Sequence, residues 1–205
     1  MKILFSVLLV GAVCTVSLLG LFIFAGRDIP APDVTDLMPE HIKVPPDQNG
    51  FTCFIAATNT LFWTTNVCLV TDYLLGEPIE DAAINELIGL NDETIALINK
   101  GIALVICITP EVTGFDTLLP YLSPWRNMGR LLAIKTRYAR LSKDFEQATE
   151  TCISLLRFGN LIQRDAGCII NYLVGLSVLE MGLAQAQDLA RDEDMQDRDL
   201  RRLSD

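Results

Sequence analysis

The feature that most constrains this chain is an uncharged, strongly apolar run at its N-terminal end, from Ile3 to Gly26. As an α-helix with a rise of about 1.5 Å per residue, this run measures about 36 Å. The hydrocarbon core of a bilayer is about 30 Å thick, so the run can cross it with some tilt. Bulky Ile23 stands where a cleavable signal peptide carries a small side chain. We therefore predict an uncleaved transmembrane anchor over residues 1–26.

The charges that flank the anchor set its expected orientation. Lys2 lies on the short side, whereas Arg27 on the other side is followed at once by Asp28. The positive-inside rule counts Lys and Arg, so the bias is slight, but the arrangement copies the charged start of an export signal. We expect the N-terminus in the cytoplasm and the rest of the chain on the extracytoplasmic side.

A proline-rich, acidic stretch separates the anchor from the rest of the chain. Each proline fixes its φ and is excluded from a helix interior, so we expect residues 27–49 to form an extended linker. The remaining length suits one domain of about 150 residues. The predicted organisation is an anchor at 1–26, a linker at 27–49, a helical domain at 50–190 and a charged tail at 191–205 that frays into solvent.

Apolar residues then recur at helical spacing from Phe51 to Leu69, which predicts one helix. Asp47 and Asn49 are candidate caps at its start. No charge occurs between Gln48 and Thr71, so residues 51–71 are also a candidate for a second membrane span. The many Asn and Thr residues there, and the lack of Lys or Arg at its edges, favour a helix of the water-facing domain.

The remaining segments are also helical in pattern. One begins near Pro78, which suits a first helical turn, and the next follows Asn91, a residue typical of N-caps. Ile102 to Ile108 has strand character, which either an isolated strand or a buried helix end explains. After a proline-containing connection, helical patterns cover Met128–Leu141, Phe145–Gln163 and Cys168–Ala190.

The break between the first two of these last helices carries the string Lys143-Asp144-Phe145-Glu146-Gln147-Ala148, with Tyr138 before it. It resembles the turn of a tetratricopeptide helical hairpin, where Gly-Asp-Tyr-x-x-Ala joins two helices. The match covers about one repeat, and Lys143 replaces the family's Gly. The resemblance implies an antiparallel hairpin with Ala148 near Tyr138 and Phe145 buried, and a role in holding protein partners. The predicted fold class is mainly α: an N-terminal transmembrane helix followed by a helical bundle or tetratricopeptide-like domain.

Two further patterns bear on binding. Four arginines fall within an arc of about 80° on one predicted helix, beside its apolar face. Such a stripe suits the docking of a carboxylate or an acidic partner helix, because guanidinium groups bind carboxylates bidentately; it equally suits an outer face that neutralises the acidic stretch from Asp28 to Asp116. The four residues are Arg126, Arg130, Arg137 and Arg140.

The last predicted helix carries small residues and one acid. Gly167, Gly175 and Gly182 recur at seven- and eight-residue steps, which predicts close approach of a neighbouring backbone. Glu180 is the one carboxylate in a long apolar run. It suits an ion pair with an arginine of a preceding helix, or a lone functional acid.

Composition excludes several function classes. The net charge of −10 argues against nucleic acid as a partner, because phosphate binding needs a basic surface. His41 is the only histidine and lies in the linker, so neither a His-based metal site nor a Ser-His-Asp arrangement is predicted. The six cysteines lack a C-x-x-C pair, and we expect those of the domain to pack as small apolar residues without a disulfide. No cofactor motif occurs.

These observations favour a non-catalytic protein-interaction module, attached to the membrane through Ile3–Gly26 and holding another protein. Its layout of anchor, acidic spacer and helical hairpin resembles small bacterial envelope proteins, which implies the bacterial inner (cytoplasmic) membrane as its location. Two alternatives stay open: a structural subunit of a membrane complex, whose working part is the anchor, and a carboxylate-dependent hydrolase, since two acids suffice for glycoside chemistry.

Overall fold

The computed structural model describes residues 44–63, 67–77, 79–112, 114, 117–195 and 201–202, with only the backbone of 67–69. The predicted anchor and most of the predicted linker lie outside these residues. The described part of the chain is helical and holds no β-strand, which confirms the mainly-α class. A 3₁₀ turn at Pro46–Gln48 precedes seven helices: α1 Gly50–Thr60, α2 Val67–Leu75, α3 Asp81–Gly89, α4 Asp92–Ala103, α5 Leu122–Leu141, α6 Phe145–Arg164 and α7 Ile169–Ala190.

Helices α5, α6 and α7 pack on one another as a three-helix bundle. Short turns join them, so consecutive helices run antiparallel. The Asp144 side chain caps α6 by accepting a 3.1 Å hydrogen bond from the Gln147 N–H, as expected of an acid at this position. The predicted bounds of α6 and α7 agree with the structure within one residue. The start predicted for α5, Met128, is too late, because Pro124 lies in its first turn, where no backbone N–H is needed.

Glycines let the backbones of α6 and α7 touch. A Cβ atom on Gly175 would lie 2.5 Å from the Gln163 nitrogen, and one on Gly182 would lie 2.7 Å from a methyl carbon of Leu156. The close approach of a neighbouring backbone is therefore confirmed at Gly175, whereas Gly182 packs against leucine side chains of α6. Gly159, which the sequence analysis did not single out, contributes from α6: its Cβ would lie 2.6 Å from the Leu179 nitrogen. Gly167 faces the Thr109 hydroxyl rather than a helix.

Two asparagines hold α1 against α4. The Asn91 side chain, at the start of α4, donates to the Phe62 carbonyl and accepts from the Phe62 N–H, both at 2.9 Å. In the same way, Asn49 donates to the Ile108 carbonyl at 2.8 Å and accepts from its N–H at 3.0 Å. We call these two-way pairings the asparagine clasps. Each joins the residue before one helix to the segment after the other, so α1 and α4 are antiparallel.

The clasps explain where the sequence predictions fail. The single helix predicted from Phe51 to Leu69 is wrong: α1 ends at Thr60, Leu61 is extended, and Asn91 holds the Phe62 backbone. The uncharged stretch at 51–71 is therefore not one continuous helix. Asn91 does not cap α4 through its side chain, because its amide is used on Phe62 and on the Leu87 carbonyl.

Asn49 does cap α1, as predicted, by accepting a hydrogen bond from the Phe51 N–H. The segment from Ile102 to Ile108 combines both alternatives in part. Helix α4 continues to Ala103, and the residues after it form no strand: the Ile106 carbonyl accepts from the Gly50 N–H, and Ile108 pairs with the Asn49 side chain. Pro78 lies outside the described residues, and the helix predicted to begin near it begins at Asp81.

An aromatic cluster joins the α1–α4 pair to the bundle. Phe54 of α1, Trp125 of α5 and Phe158 of α6 are fully buried, and the Phe54 and Phe158 ring centroids lie 4.9 Å apart with edge-on geometry. Phe51 adds edge contacts to Tyr121 and Trp125. Burial of large aromatic side chains supplies much of the apolar area of such a core.

The first residues of the charged C-terminal stretch, 191–195, pack on the bundle. Met195 is buried in a small cluster with Ala139, Ala148, Cys152 and Leu189. Asp192 accepts from Arg140 at 3.4 Å and from Lys143 at 3.5 Å. The expectation that residues from 191 onward fray is therefore wrong for 191–195, because the apolar Met195 and the bridging Asp192 hold this stretch on the bundle. The domain also begins earlier than predicted, since Asn49 is part of it.

Candidate functional site

A polar groove runs along α6 between α4 and α5. It consists of two adjoining hollows of about 530 Å³ and 590 Å³, which share Asn99, Ser154 and Arg157 as lining residues. Helix α5 contributes Lys135 at one end, and Arg164 lines the other. We call this feature the α4–α6 groove. It has a length of about 25 Å along α6, which matches about eight residues of an extended peptide.

The groove is positively charged although the chain is acidic. Its lining includes four cations, Lys135, Arg157, Arg164 and Arg202, against a single carboxylate, that of Glu150. Arg202 pairs with Glu150 at 3.1 Å, and Arg164 pairs with its neighbour Asp165 at 2.8 Å. Lys135 and Arg157 form no ion pair within the described part of the chain. Together they leave two positive charges open to a ligand.

Asp165 fixes the end of the groove where α6 stops. Burial raises the pKa of Asp165, but hydrogen bonds from the Arg164 guanidinium and the Cys107 N–H outweigh this effect and hold it below its usual value. The Cys107 N–H lies 2.8 Å from Asp165 Oδ2. The ionised carboxylate therefore ties the segment after α4 to the end of α6, while Arg164 also donates to the Val105 carbonyl.

The predicted arginine stripe is divided by its contacts. Arg140 pairs with Asp192, and the Arg137 guanidinium lies 5.4 Å from the centre of the Tyr73 ring on α2. Burial raises the pKa of Tyr73 to about 12, with Arg137 acting in the opposite sense. Two stripe members thus hold the fold together. The Asp192 partner of Arg140 lies outside the acidic stretch that the sequence analysis expected the stripe to neutralise.

The other two members of the stripe are closer to the start of α5. Burial and the like charge of Arg126 lower the pKa of Arg130, whose guanidinium donates to Asn127 Oδ1 at 2.9 Å. Neither Arg126 nor Arg130 forms an ion pair with a described acidic side chain. The structure therefore does not present the four arginines as one free surface; it separates an engaged pair from an unpaired one.

Helix α7 carries a second apolar face that the bundle does not cover. Its inner face packs on α5 and α6, whereas the outer face exposes six large side chains: Ile169, Ile170, Tyr172, Leu173, Leu176 and Leu183. Among the described residues it is the one helix that is long and apolar enough to cross a membrane, and a third of its most apolar stretch is buried in the fold. Glu180, on the exposed side, makes no ion pair with a described residue, so the predicted arginine pairing is not observed.

The described cysteines and acids form no metal-binding group of three or more ligands. Cys53, Cys107, Cys152 and Cys168 are free thiols. Burial raises the pKa of both Cys107 and Cys152 to about 12, with Asp165 adding to the effect at Cys107. These two thiols therefore stay protonated near neutral pH, the state in which a thiol is a poor nucleophile.

Comparisons with protein-family models, with curated proteins and with solved structures find no match to this chain.

The groove was not found by the sequence analysis. Lys135 and Arg157 stand on different helices, far apart in the sequence, and neither belongs to a motif. Only the antiparallel turn between α5 and α6 brings their side chains to one groove.

Proposed function

We propose that this chain is a membrane-anchored helical protein-interaction module whose α4–α6 groove holds an acidic, extended segment of a partner protein. The observation that carries the proposal is the pair of unmatched cations, Lys135 and Arg157, lining one groove in a chain of net charge −10. A positive groove on an acidic molecule favours an acidic ligand and disfavours binding elsewhere on its surface.

The amide side chains of the groove support a peptide as the ligand. Asn99, Gln147 and Asn160 line it, and each amide both donates and accepts hydrogen bonds. A peptide backbone offers the same two groups in alternation. An extended acidic segment would therefore satisfy both the cations and the amides. Arg126 and Arg130 form a second cationic pair on α5, and we propose them as a further contact for the same partner.

The anchor and the hairpin complete the proposal. Ile3–Gly26 would hold the domain at a bacterial inner membrane, with the domain on the extracytoplasmic side, and residues 27–43 would act as spacer. The α5–α6 hairpin, which resembles a tetratricopeptide turn, would supply one wall of the groove. The proposal includes no catalytic step, because it requires only charge, hydrogen bonding and shape.

Fluorescence anisotropy tests the groove. The full chain in detergent micelles is titrated against a labelled peptide of about eight residues that alternates Glu and Ser, the length that the groove accommodates. The double variant Lys135→Gln, Arg157→Gln should weaken binding about fivefold or more, since two partly exposed charge pairs together contribute about 1 kcal/mol. The matched control is Lys100→Gln, an exposed lysine of α4 that does not line the groove; it should leave the affinity within about twofold.

A second peptide, with Gln in place of Glu, separates the effect of charge from non-specific binding. It should bind more weakly than the acidic peptide, and the difference should shrink as salt is raised, because screening shortens the range of exposed charges. If the two peptides bound equally well, or if the groove variant and the Lys100 control lost the same affinity, the groove would not be the binding site for an acidic segment.

A further inference from the structure

The exposed apolar side chains of α7 do not stand alone. Val105 and Ile106, in the segment that follows α4, are also exposed, at 59% and 38%. Arg164 joins the two groups: it donates to the Val105 carbonyl and lines a hollow with Ile169. We call this combined surface the apolar patch; it consists of Val105, Ile106, Ile169, Ile170, Leu173 and Leu176.

We propose that the apolar patch lies against the lipid bilayer, so that the domain rests on the membrane at the start of α7 instead of being held away from it by the linker. This inference goes beyond the proposed function, in which the domain binds a protein partner through the α4–α6 groove, but it rests on the membrane anchor proposed there; Val105 lies where the patch and the groove adjoin. Burial of exposed aliphatic side chains in the interfacial region of a bilayer is favourable and scales with their apolar area.

The position of the patch relative to the linker supports a bilayer as its occupant. The linker joins the domain at Asn49, which is clasped to Ile108. The next residue, Thr109, accepts hydrogen bonds from the Gly167 N–H at 3.2 Å and from Asn171 at 3.0 Å, beside the start of α7. The first described residues of the domain thus lie close to the start of α7, where the patch is, and a proposed anchor that precedes them along the chain favours a bilayer as the occupant.

Helix α7 is apolar at its start and charged at its end, which suits contact with a bilayer at its start. Between Asp165 and Glu180 the sequence has no charged residue, whereas Asp188, Arg191 and Asp192 follow at the other end. Exposure of the apolar side chains is highest at the first turn, where Ile169 is 68% exposed. A helix with one apolar end and one charged end suits oblique contact with a membrane, its first half in the interface and its last turns in water.

Crossing of the membrane by α7 is disfavoured by its packing. Gly159 and Gly175 bring the α6 and α7 backbones into contact, so α6 would have to enter the bilayer as well. Helix α6 carries Glu146, Glu150 and Arg157, and each charge at the bilayer centre costs about 2.5 to 3.5 kcal/mol. Contact at the surface avoids this cost.

Val105 provides an independent observation. It is β-branched, yet it has φ +63°, a region that β-branched residues rarely adopt. Backbone strain of this kind persists where the surrounding structure enforces it and is found preferentially at functional positions. Here the strained residue exposes an aliphatic side chain, and its carbonyl accepts from Arg164, the last residue of α6.

Photo-crosslinking of the full chain in phosphatidylcholine vesicles tests the inference. A benzophenone amino acid replaces Leu173 in one variant and Gln187 in another; both positions are exposed, and they lie about 40° apart on α7, nearly four turns from each other. We expect lipid adducts at position 173, measured by mass spectrometry, at least about tenfold more abundant than at 187. A second probe at Ile169 should behave as at 173, which excludes an effect of one substitution on folding.

Three outcomes would overturn the inference. A covalent dimer from position 173 would assign the patch to a second copy of this chain, and an internal crosslink to Ile3–Gly26 would assign it to the anchor segment. Equal adducts at 173 and 187, or none at 173, would leave the patch in water. Peptide binding by the α4–α6 groove is measured separately, so failure of one proposal is distinguishable from failure of the other.

Discussion

Asn91 shows how one buried amide can determine where two helices end. Its side chain is fully buried and makes three hydrogen bonds, two to Phe62 and one of 2.8 Å to the Leu87 carbonyl. We expect Asn91→Ala to destabilise the domain by about 3 kcal/mol, because it leaves backbone groups without partners in a buried site. Urea denaturation of the two proteins measures the difference.

Asn99 offers the matched control for this prediction. It lies on α4, the helix that Asn91 precedes, but is exposed, so Asn99→Ala should change stability by no more than about 0.5 kcal/mol. If the two variants were equally stable, the clasp between Asn91 and Phe62 would not be a determinant of the fold.

Val105 allows a test of backbone strain. A left-handed conformation costs an L-residue about 1 to 2 kcal/mol, whereas glycine adopts it freely. We expect Val105→Gly to be more stable than Val105→Ala by about 1 kcal/mol, the reverse of the usual order of Ala and Gly. Thermal unfolding of the pair measures this, and a more stable Ala variant would contradict the φ of +63°.

The buried thiols give the domain a pH dependence. The pKa of Cys152 is raised from 9.0 to about 12 by burial, so the folded state keeps a proton that the unfolded state loses. The stabilisation is complete below about pH 9 and is lost as the pH rises towards 12. We expect the free energy of unfolding to fall between pH 8 and about pH 10.5, by about 1 to 2 kcal/mol from this thiol. Urea titrations at the two pH values measure it, and the fall should be smaller in Cys152→Ala.

At the scale of helices, the contact between α6 and α7 depends on glycine. We expect Gly175→Ala to cost about 1 to 3 kcal/mol, because the new Cβ would meet the α6 backbone at Gln163. Gly89→Ala, at the end of α3, is the matched control: nothing lies within 4 Å of its Cβ position, so it should stabilise by about 0.5 to 1 kcal/mol. Denaturant midpoints should therefore move in opposite directions, and a shift of the same sign in both variants would contradict the packing.

The helices that the sequence predicted well are those whose limits are local. The start of α6 follows from Asp144, which caps it, and the start of α7 from the break at Arg164-Asp165 and the glycine that follows it. The break after Thr60 was missed because it depends on Asn91, about 30 residues further along the chain. A pattern of apolar spacing contains no information on which distant side chain will bind a given backbone.

The sequence predicted that the domain carries a basic surface, but not which residues form it. Arginine spacing on α5 indicated a basic surface, but Tyr73 and Asp192, which engage Arg137 and Arg140, come from elements that only the fold brings to α5. The unmatched cations Lys135 and Arg157 likewise line one groove only because the fold brings α5 and α6 together. A charged side chain is available to a ligand only where no neighbouring group of opposite charge pairs with it. Tertiary packing determines where that is the case.

At the scale of the whole molecule, both proposals assign the domain to a membrane surface. The α4–α6 groove and the apolar patch share Arg164 as a boundary, so a peptide in the groove would lie close to the bilayer that the patch contacts. This arrangement suits a module that holds a membrane-associated partner.

Membrane extraction at alkaline pH tests this central claim most directly. The full chain is expressed in a bacterial host, and the membranes are washed with alkaline carbonate, which releases peripheral proteins. Val13→Arg together with Val16→Arg is the matched control, since each charge near the centre of Ile3–Gly26 disfavours insertion by about 2.5 to 3.5 kcal/mol. We predict that the unaltered chain stays in the pellet at full length and that the control is released. A soluble product beginning near Gly26, or release of the unaltered chain, would contradict the account.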